Sequence, residues 1–260
     1  MLSYQHIYHA GNLADVHKHA LLAAALSYLT RKDKPLTYIE THAGRALYAL
    51  DSDEARKTGE AEAGIVRVEA AFPGDHPYRR ALASIRAEHG AKAYPGSPMI
   101  AASLLRPTDR MVLAELHPQE FAALKANMAP RAAECRQTDG QQLALSATPP
   151  MPRRGMILID PSYEVKTDYE AMPALVAKLH RRWNVGIVAL WYPILVSGLH
   201  RPMAAALAGA NLPGTLHHEI SFAPSREGHG MIGSGMYIVN APYGLEAEAR
   251  RLEDIFGKLA

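Results

Sequence analysis

Apolar residues in this chain fall into short runs set between amphipathic stretches. Leu36-Thr37-Tyr38-Ile39-Glu40 is rich in β-branched and aromatic residues and reads as a strand. Four more strands are predicted at residues 111–115, 133–137, 156–159 and 185–192. Residues 118–128, 168–183 and 199–207 carry helical periodicity between or after them. Strand and helix in alternation predict an α/β fold built on a parallel sheet. A helix over residues 14–29 precedes the first strand, with Val16, Ala20, Leu22, Leu26 and Leu29 as its apolar positions. Asn12 is placed to cap it, Asp15 falls in its first turn, and Lys34-Pro35 ends it. Asp15, Lys18 and His19 read most simply as its polar end.

The alternation breaks in two places. After the first strand the expected second strand is delayed by residues 51–93, which are charged and helical over 57–72 and 78–89, with Pro73-Gly74-Asp75 between them. This predicts a main domain of residues 1–50 and 94–260 carrying an inserted helical subdomain, 51–93. Tyr94-Pro95-Gly96-Ser97-Pro98 reads as the turn that rejoins the core, with Ser97 as N-cap and Pro98 at the first position of the next helix. Near the end, residues 216–222 and 237–241 read as strands joined by a glycine-rich loop over 227–235. Two late strands without a long helix between them imply an antiparallel hairpin at one sheet edge. The sum resembles the Rossmann-like, seven-stranded class I sheet of S-adenosylmethionine-dependent methyltransferases.

Composition removes competing classes. A hydrophobic fraction of 48% with 21% charged residues belongs to a folded globular chain. Neither a signal peptide nor a membrane span is expected, so the cytoplasm is the expected location. The net charge of +2 argues neither for nor against a nucleic-acid partner. The single cysteine, Cys135, excludes an internal disulfide and a cysteine-rich zinc site. Thirteen histidines raise a metal-dependent hydrolase, but His17 and His19, and the adjacent His217 and His218, lack the spacing of a His-Glu-x-x-His site, and no metal is expected.

The chemistry gathers at strand ends. Glu40, Glu115, Asp139 and Asp160 each close a predicted strand, and open α/β sheets bind ligands at those ends. Such acids suit a sulfonium nucleoside: one near the cationic methionyl part, one for the ribose hydroxyls, one for the adenine amine. Gly140 beside Asp139 lets a flat ring approach the backbone. Asp160-Pro161-Ser162-Tyr163 resembles the Asp-Pro-Pro-Tyr motif of enzymes that methylate exocyclic amines of bases. That nitrogen is a poor nucleophile because its lone pair is delocalised into the ring. Asp160 and the Pro161 carbonyl accepting its two hydrogens would turn the lone pair toward the methyl group, and Tyr163 would stack on the extruded base.

Several blocks are more specific than the tetrapeptide: Met1-Leu2-Ser3-Tyr4, His9-Ala10-Gly11-Asn12, Ala14-Asp15-Val16, Lys18-His19, Thr41-His42-Ala43-Gly44, Tyr94 to Pro98, Glu115-Leu116-His117-Pro118 and Leu190-Trp191-Tyr192-Pro193. On these the chain resembles the bacterial 23S ribosomal RNA adenine-N6 methyltransferases that act on adenine 2030. The resemblance implies that Lys18, His19, His42, Ser97, Glu115, Asp139, Gly140 and Asp160 contact S-adenosylmethionine, which leaves as S-adenosylhomocysteine. It further implies that Asp160 is the catalytic residue, that Tyr4 and His6 reach the RNA, and that the N-terminal helix region forms a lid. The expected partner is 23S rRNA, free or in an early precursor, met by a monomer with no membrane contact. Two departures stand out: Ser162 replaces the second proline, and Arg45-Ala46 stands where a further glycine is expected. A DNA adenine-N6 methyltransferase, or a non-catalytic RNA-binding protein on a degenerate fold, are the alternatives.

Overall fold

The structure is a computed structural model and describes residues 4–224, 228 and 230–259. After a short 3-10 turn at His6–Tyr8, helix α1 (Leu13–Thr30) leads into strand β1 (Thr37–Glu40) and the short β2 (Leu47–Ala49). Helices α2 (Asp53–Thr58), α3 (Glu60–Ala63), α4 (Ile65–Val68) and α5 (Pro77–His89) follow, then β3 (Ala93–Pro95) and α6 (Ser97–Leu104). The remainder runs β4 (Arg110–Ala114), α7 (Pro118–Met128), β5 (Ala133–Arg136), α8 (Gly140–Ala147), β6 (Gly155–Ile159), α9 (Thr167–Arg182), β7 (Ile187–Leu195), α10 (Arg201–Gly209), β8 (Leu216–Ser221), β9 (Met231–Val239) and α11 (Leu245–Gly257).

Seven strands form one sheet in the order β5-β4-β1-β6-β7-β9-β8. The first five lie parallel, while β9 runs antiparallel between β7 and β8. The central strands are buried on both faces, as parallel sheets are. In β6, Met156 and Leu158 join the core under α1, α5, α6 and α11, whereas Ile157 and Ile159 join the core under α8, α9 and α10. The same alternation continues past the strand end, so Asp160 turns back toward the α1 side.

Three expectations need correction. The helix foreseen over 57–72 is broken into short pieces. Gly59 adopts a left-handed conformation (φ 64) that ends α2. At Gly64 any Cβ would collide with the Gly11 carbonyl oxygen, so the chain bends there and the Ile65 amide donates to that oxygen at 2.8 Å. Ser97 is the first residue of α6, not its cap; Gly96 takes the cap position and frees the Ser97 hydroxyl for another task. The glycine-rich stretch is a loop only in part, because residues 231–235 belong to β9; residues 227 and 229 lie outside the described residues. Gly233 and Gly235 are in that strand because a Cβ at either would run into the Ile220 carbonyl or the Tyr192 ring.

Candidate active site

The site is a cavity of about 460 Å³ at the carboxyl ends of β1, β4 and β6, roofed by the N-terminal turn and the start of α1. Its lining includes Tyr4, His6, Lys18, His19, His42, Ser97, Glu115, Asp139, Gly140, Asp160, Pro161 and Tyr163, so of the residues expected there all but Glu40 meet in one place.

Asp15 is the hub of the roof and is only 1% exposed. Its backbone amide is capped by Asn12 Oδ1 at 2.8 Å, which fixes the first turn of α1. Its carboxylate accepts from the Gly11 amide (2.9 Å), meets His6 Nε2 at 2.8 Å and lies 3.1 Å from Lys18 Nζ. Burial alone would raise the Asp15 carboxyl, but its partners, His6 first and then Lys18, outweigh it and hold the group well below the ordinary aspartate value. Lys18 reaches on to Asp160 Oδ2 at 2.6 Å. Burial disfavours that ammonium, yet Asp160 and Asp15 together raise its pKa. Tyr4 extends the string outward through its hydroxyl, 2.8 Å from His6 Nδ1. A continuous polar line therefore runs from Tyr4 through His6, Asp15 and Lys18 to Asp160.

The helices between β2 and β3 brace this line from behind. Glu60, in α3, accepts from Asn12 Nδ2 and lies 3.0 Å from His9 Nδ1. Tyr78, in α5, is hydrogen-bonded to Tyr94, whose hydroxyl sits 2.9 Å from His19 Nδ1. Burial pushes His19 down to about 3, so its ring stays neutral.

On the opposite wall, Glu115 is pinned by the Gly44 amide on Oε2 (2.9 Å) and the His117 amide on Oε1 (2.8 Å). Asp139 caps α8 through Oδ1, which accepts from the Gln142 amide at 2.8 Å. At Gly140 a Cβ would strike the Thr41 carbonyl oxygen and the His42 ring, so only glycine keeps this wall flat. His42, held 2.7 Å from the Thr41 hydroxyl, is lowered by burial.

Glu40 departs from its expected place. It is fully buried and outside the cavity lining, covered by Ser97, whose hydroxyl donates to Oε1, while the Tyr38 hydroxyl donates to Oε2 at 2.8 Å. Burial pushes its carboxyl up to about 8, against those two hydrogen bonds. A carboxyl raised in the folded state stabilises the fold fully below its unfolded value near 4.3 and loses that contribution as pH rises through the folded value. Glu40→Gln is therefore expected to gain thermal stability relative to the parent between pH 5 and pH 8, with the gap levelling off above. Parallel melting curves across that range would remove the assignment.

The two sequence departures have local explanations. Ala46 takes the left-handed conformation itself (φ 66) and its carbonyl accepts from the Gly96 amide at 2.8 Å, so the turn forms without the extra glycine. Arg45 forms a two-point pair with Glu120, Nε to Oε2 at 2.9 Å and Nη2 to Oε1 at 2.6 Å. Ser162 sits between Pro161 and Tyr163, and it is Tyr163 that adopts a positive φ of 55. The Tyr163 ring packs 4.5 Å from Tyr169, and its hydroxyl donates to the Trp191 carbonyl at 2.8 Å.

Sequence reasoning underrated Asp15 and gave no role to Glu60 or Trp191. Trp191, on β7 beside Asp160, lines the cavity with the Lys18 ammonium 5.3 Å over its ring.

Counting only the seven strands of the main sheet in chain order, the arrangement is 3-2-1-4-5-7-6. With a cavity over the carboxyl ends of its parallel strands, this is the class I, S-adenosylmethionine-dependent methyltransferase fold. The chain belongs to the family described as ribosomal RNA large subunit methyltransferase D, RlmJ, whose match spans residues 33–259. It is 38% identical over 252 residues to ribosomal RNA large subunit methyltransferase J of Escherichia coli K12, covering 95% of this chain and 90% of that one. The protein of the same name from Haemophilus influenzae is 36% identical over 259 residues, covering 97% and 92%. Among solved structures, a Legionella pneumophila protein superposes with a TM-score of 0.86 at 33% identity, covering 96% of this chain and 94% of that one.

Proposed function

We propose that this protein transfers a methyl group from S-adenosylmethionine to the exocyclic N6 of a specific adenine in 23S rRNA. The carrying observation is Asp160: it stands at the end of β6 inside the cavity, between the Glu115–Asp139 wall and the Tyr4–His6 roof. The names of the curated relatives, which act on large-subunit ribosomal RNA, support the substrate class.

The donor set fits the nucleoside. Glu115, held by two backbone amides, suits the ribose hydroxyls. Asp139 caps α8 through one oxygen and offers the other to an adenine amine, and Gly140 leaves room for the ring. Lys18, His19, His42 and Ser97 line the remaining surface for the methionyl end. When bound, S-adenosylmethionine supplies an electrophilic methyl group.

The chain supplies position. Lys18 engages Asp160 Oδ2, and no described residue bonds Oδ1, which is left to accept one hydrogen of the amine. The Pro161 carbonyl accepts the other, and Tyr163 is the base-stacking ring. With both hydrogens held, the nitrogen lone pair is released from the ring toward the methyl group, and the proton it sheds passes to Asp160. Catalysis of this kind rests on orientation and fixed electrostatics, without a covalent intermediate. Tyr4 and His6, at the outer end of the polar line, meet the RNA.

The insertion is the piece that favours RNA over DNA as substrate. Its helices are spent bracing α1 and the N-terminal turn, through Glu60, Ile65 and Tyr78, so they offer no separate element to read a duplex. Parallel assays with unmodified 23S rRNA and adenine-containing DNA duplexes are expected to show methyl transfer to the RNA alone. Comparable transfer to DNA would defeat this reading.

A further inference from the structure

Beneath α1, on the face of the sheet away from α9, lies a set of buried polar side chains that the proposed chemistry does not use. His17 is fully buried, as is Ser234, and His218 is 6% exposed. Polar groups in such a place are costly unless hydrogen-bonded. These are bonded into one line. Trp191 Nε1 donates to Ser234 Oγ at 2.8 Å, Ser234 Oγ lies 2.8 Å from His17 Nδ1, and His17 Nε2 lies 2.9 Å from His218 Nδ1. His218 Nε2 is itself buried and makes no hydrogen bond among the described residues; the Glu253 carboxylate on α11 lies 3.4 Å from it. Strand alternation puts the members together: Trp191 of β7, Ser234 of β9 and His218 of β8 all project toward α1, where His17 sits one residue before Lys18.

The ends of this line decide its direction. An indole N–H can only donate, and a carboxylate can only accept. Ser234, accepting from Trp191, passes its own hydrogen to His17 Nδ1; His17 then carries its hydrogen on Nε2 and donates to His218 Nδ1; His218 is left with its own hydrogen on Nε2, on the side of the Glu253 carboxylate 3.4 Å away. The reverse arrangement would leave the Ser234 hydrogen without an acceptor and aim a His218 lone pair at the carboxylate. One tautomer of each ring fits the three hydrogen bonds from Trp191 to His218, and the inner end of the line fixes a single atom of a cavity-lining residue.

We propose that Ser234, His17 and His218 are positioning residues that set the indole plane of Trp191, and that Trp191 is a second aromatic wall, beside Tyr163, against which the target base is held. The proposal rests on the base-methylation reading above. Trp191 is suited to it: the ring lies 6.1 Å from Tyr163 and beneath the Lys18 ammonium that engages Asp160. A ring free to turn about its χ angles would present that wall only part of the time, whereas a ring anchored through Nε1 presents it always.

A double-mutant cycle with two readouts tests this. Ser234→Ala is expected to raise the KM for 23S rRNA about tenfold, on the scale of a base-stacking contact, with S-adenosylhomocysteine binding by calorimetry unchanged. Trp191→Phe, which keeps a ring but has no N–H to anchor, is expected to do the same, and the double variant to be no worse than either single one. In parallel, 15N-labelled tryptophan gives two indole resonances, the second from Trp183, which donates to the Arg153 carbonyl at 2.6 Å far from this line. His17→Ala is expected to move the Trp191 resonance and leave that of Trp183, which also reports that the fold is intact. Costs that multiply in the double variant, an unchanged KM, or an unmoved Trp191 resonance would overturn the proposal. Failure of the parent protein to methylate rRNA at all would instead overturn the reading beneath it, and the resonance shift would still report whether the line anchors the indole.

Discussion

Asp160→Ala is expected to lower methyl transfer to 23S rRNA by about a hundredfold to a thousandfold, the scale seen when one preorganised electrostatic contact to a transition state is lost. Two effects add. The amine loses the acceptor that holds one of its hydrogens, and Lys18 loses the partner 2.6 Å away that keeps its ammonium at the reacting end of the cavity. Binding of S-adenosylhomocysteine is expected to survive in large part, because Glu115, Asp139 and Gly140 lie on the opposite wall and depend on backbone amides rather than on Asp160. Asp160→Asn separates the two effects: its amide oxygen can still accept the amine hydrogen, so it should retain more activity than Ala. Single-turnover rates with saturating S-adenosylmethionine read both variants. A rate near that of the parent in the Ala variant would leave Asp160 without its role.

The second large effect belongs to Asp15. Removing one member of a buried, hydrogen-bonded charge cluster costs about 3–5 kcal/mol, because the partners stay buried and lose their compensation. In Asp15→Ala the Gly11 amide, His6 and Lys18 all lose an acceptor at once, so both the N-terminal turn and the seat of Lys18 loosen. The midpoint of urea unfolding should fall accordingly near neutral pH, and methyl transfer should fall with it. The pH dependence is diagnostic. A carboxyl held below its unfolded value stabilises the fold above that value, near 3.9, and the contribution disappears as pH falls through the folded value. The gap between parent and variant should therefore narrow below about pH 4. A gap independent of pH would mean that Asp15 acts by packing alone.

What could be read in advance follows from how local each signal is. The strand ends were legible because a buried parallel strand is an uninterrupted apolar run, and the acid after Met156 to Ile159, or after Met111 to Ala114, stands out against it. Asp15 was underrated because its partners are mostly distant or irregular: a backbone amide at a turn, a histidine before the helix, and a lysine whose second partner lies 142 residues on. Glu40 was legible as a strand end but not as a residue behind the cavity. Its covering contact with Ser97 depends on α6 starting one residue earlier than the capping pattern suggested. The glycines of β9 misled for a similar reason. In sequence they resemble a loop, and only the Tyr192 ring and the Ile220 carbonyl of neighbouring strands show why side chains are excluded there. Helix α11 was not foreseen, although Leu245, Ala249, Leu252, Ile255 and Phe256 recur at helical spacing and are all buried.

Those long-range contacts explain how the helices between β2 and β3 and the N-terminal turn bear on the cavity although neither carries the Asp-Pro-Ser-Tyr stretch. Gly64 admits the Gly11 turn, that turn presents its amide to Asp15, and Asp15 seats the lysine that meets Asp160. Each step is a short contact between buried groups, so an error introduced in α3 or α4 should be felt at Asp160.

The most direct measurement is to incubate the protein with methyl-labelled S-adenosylmethionine and 23S rRNA lacking the modification, digest the RNA, and separate the nucleosides. The account predicts that the label appears as N6-methyladenosine with the parent protein and not with Asp160→Ala. Label in any other nucleoside, or none from folded protein that binds S-adenosylhomocysteine, would contradict it.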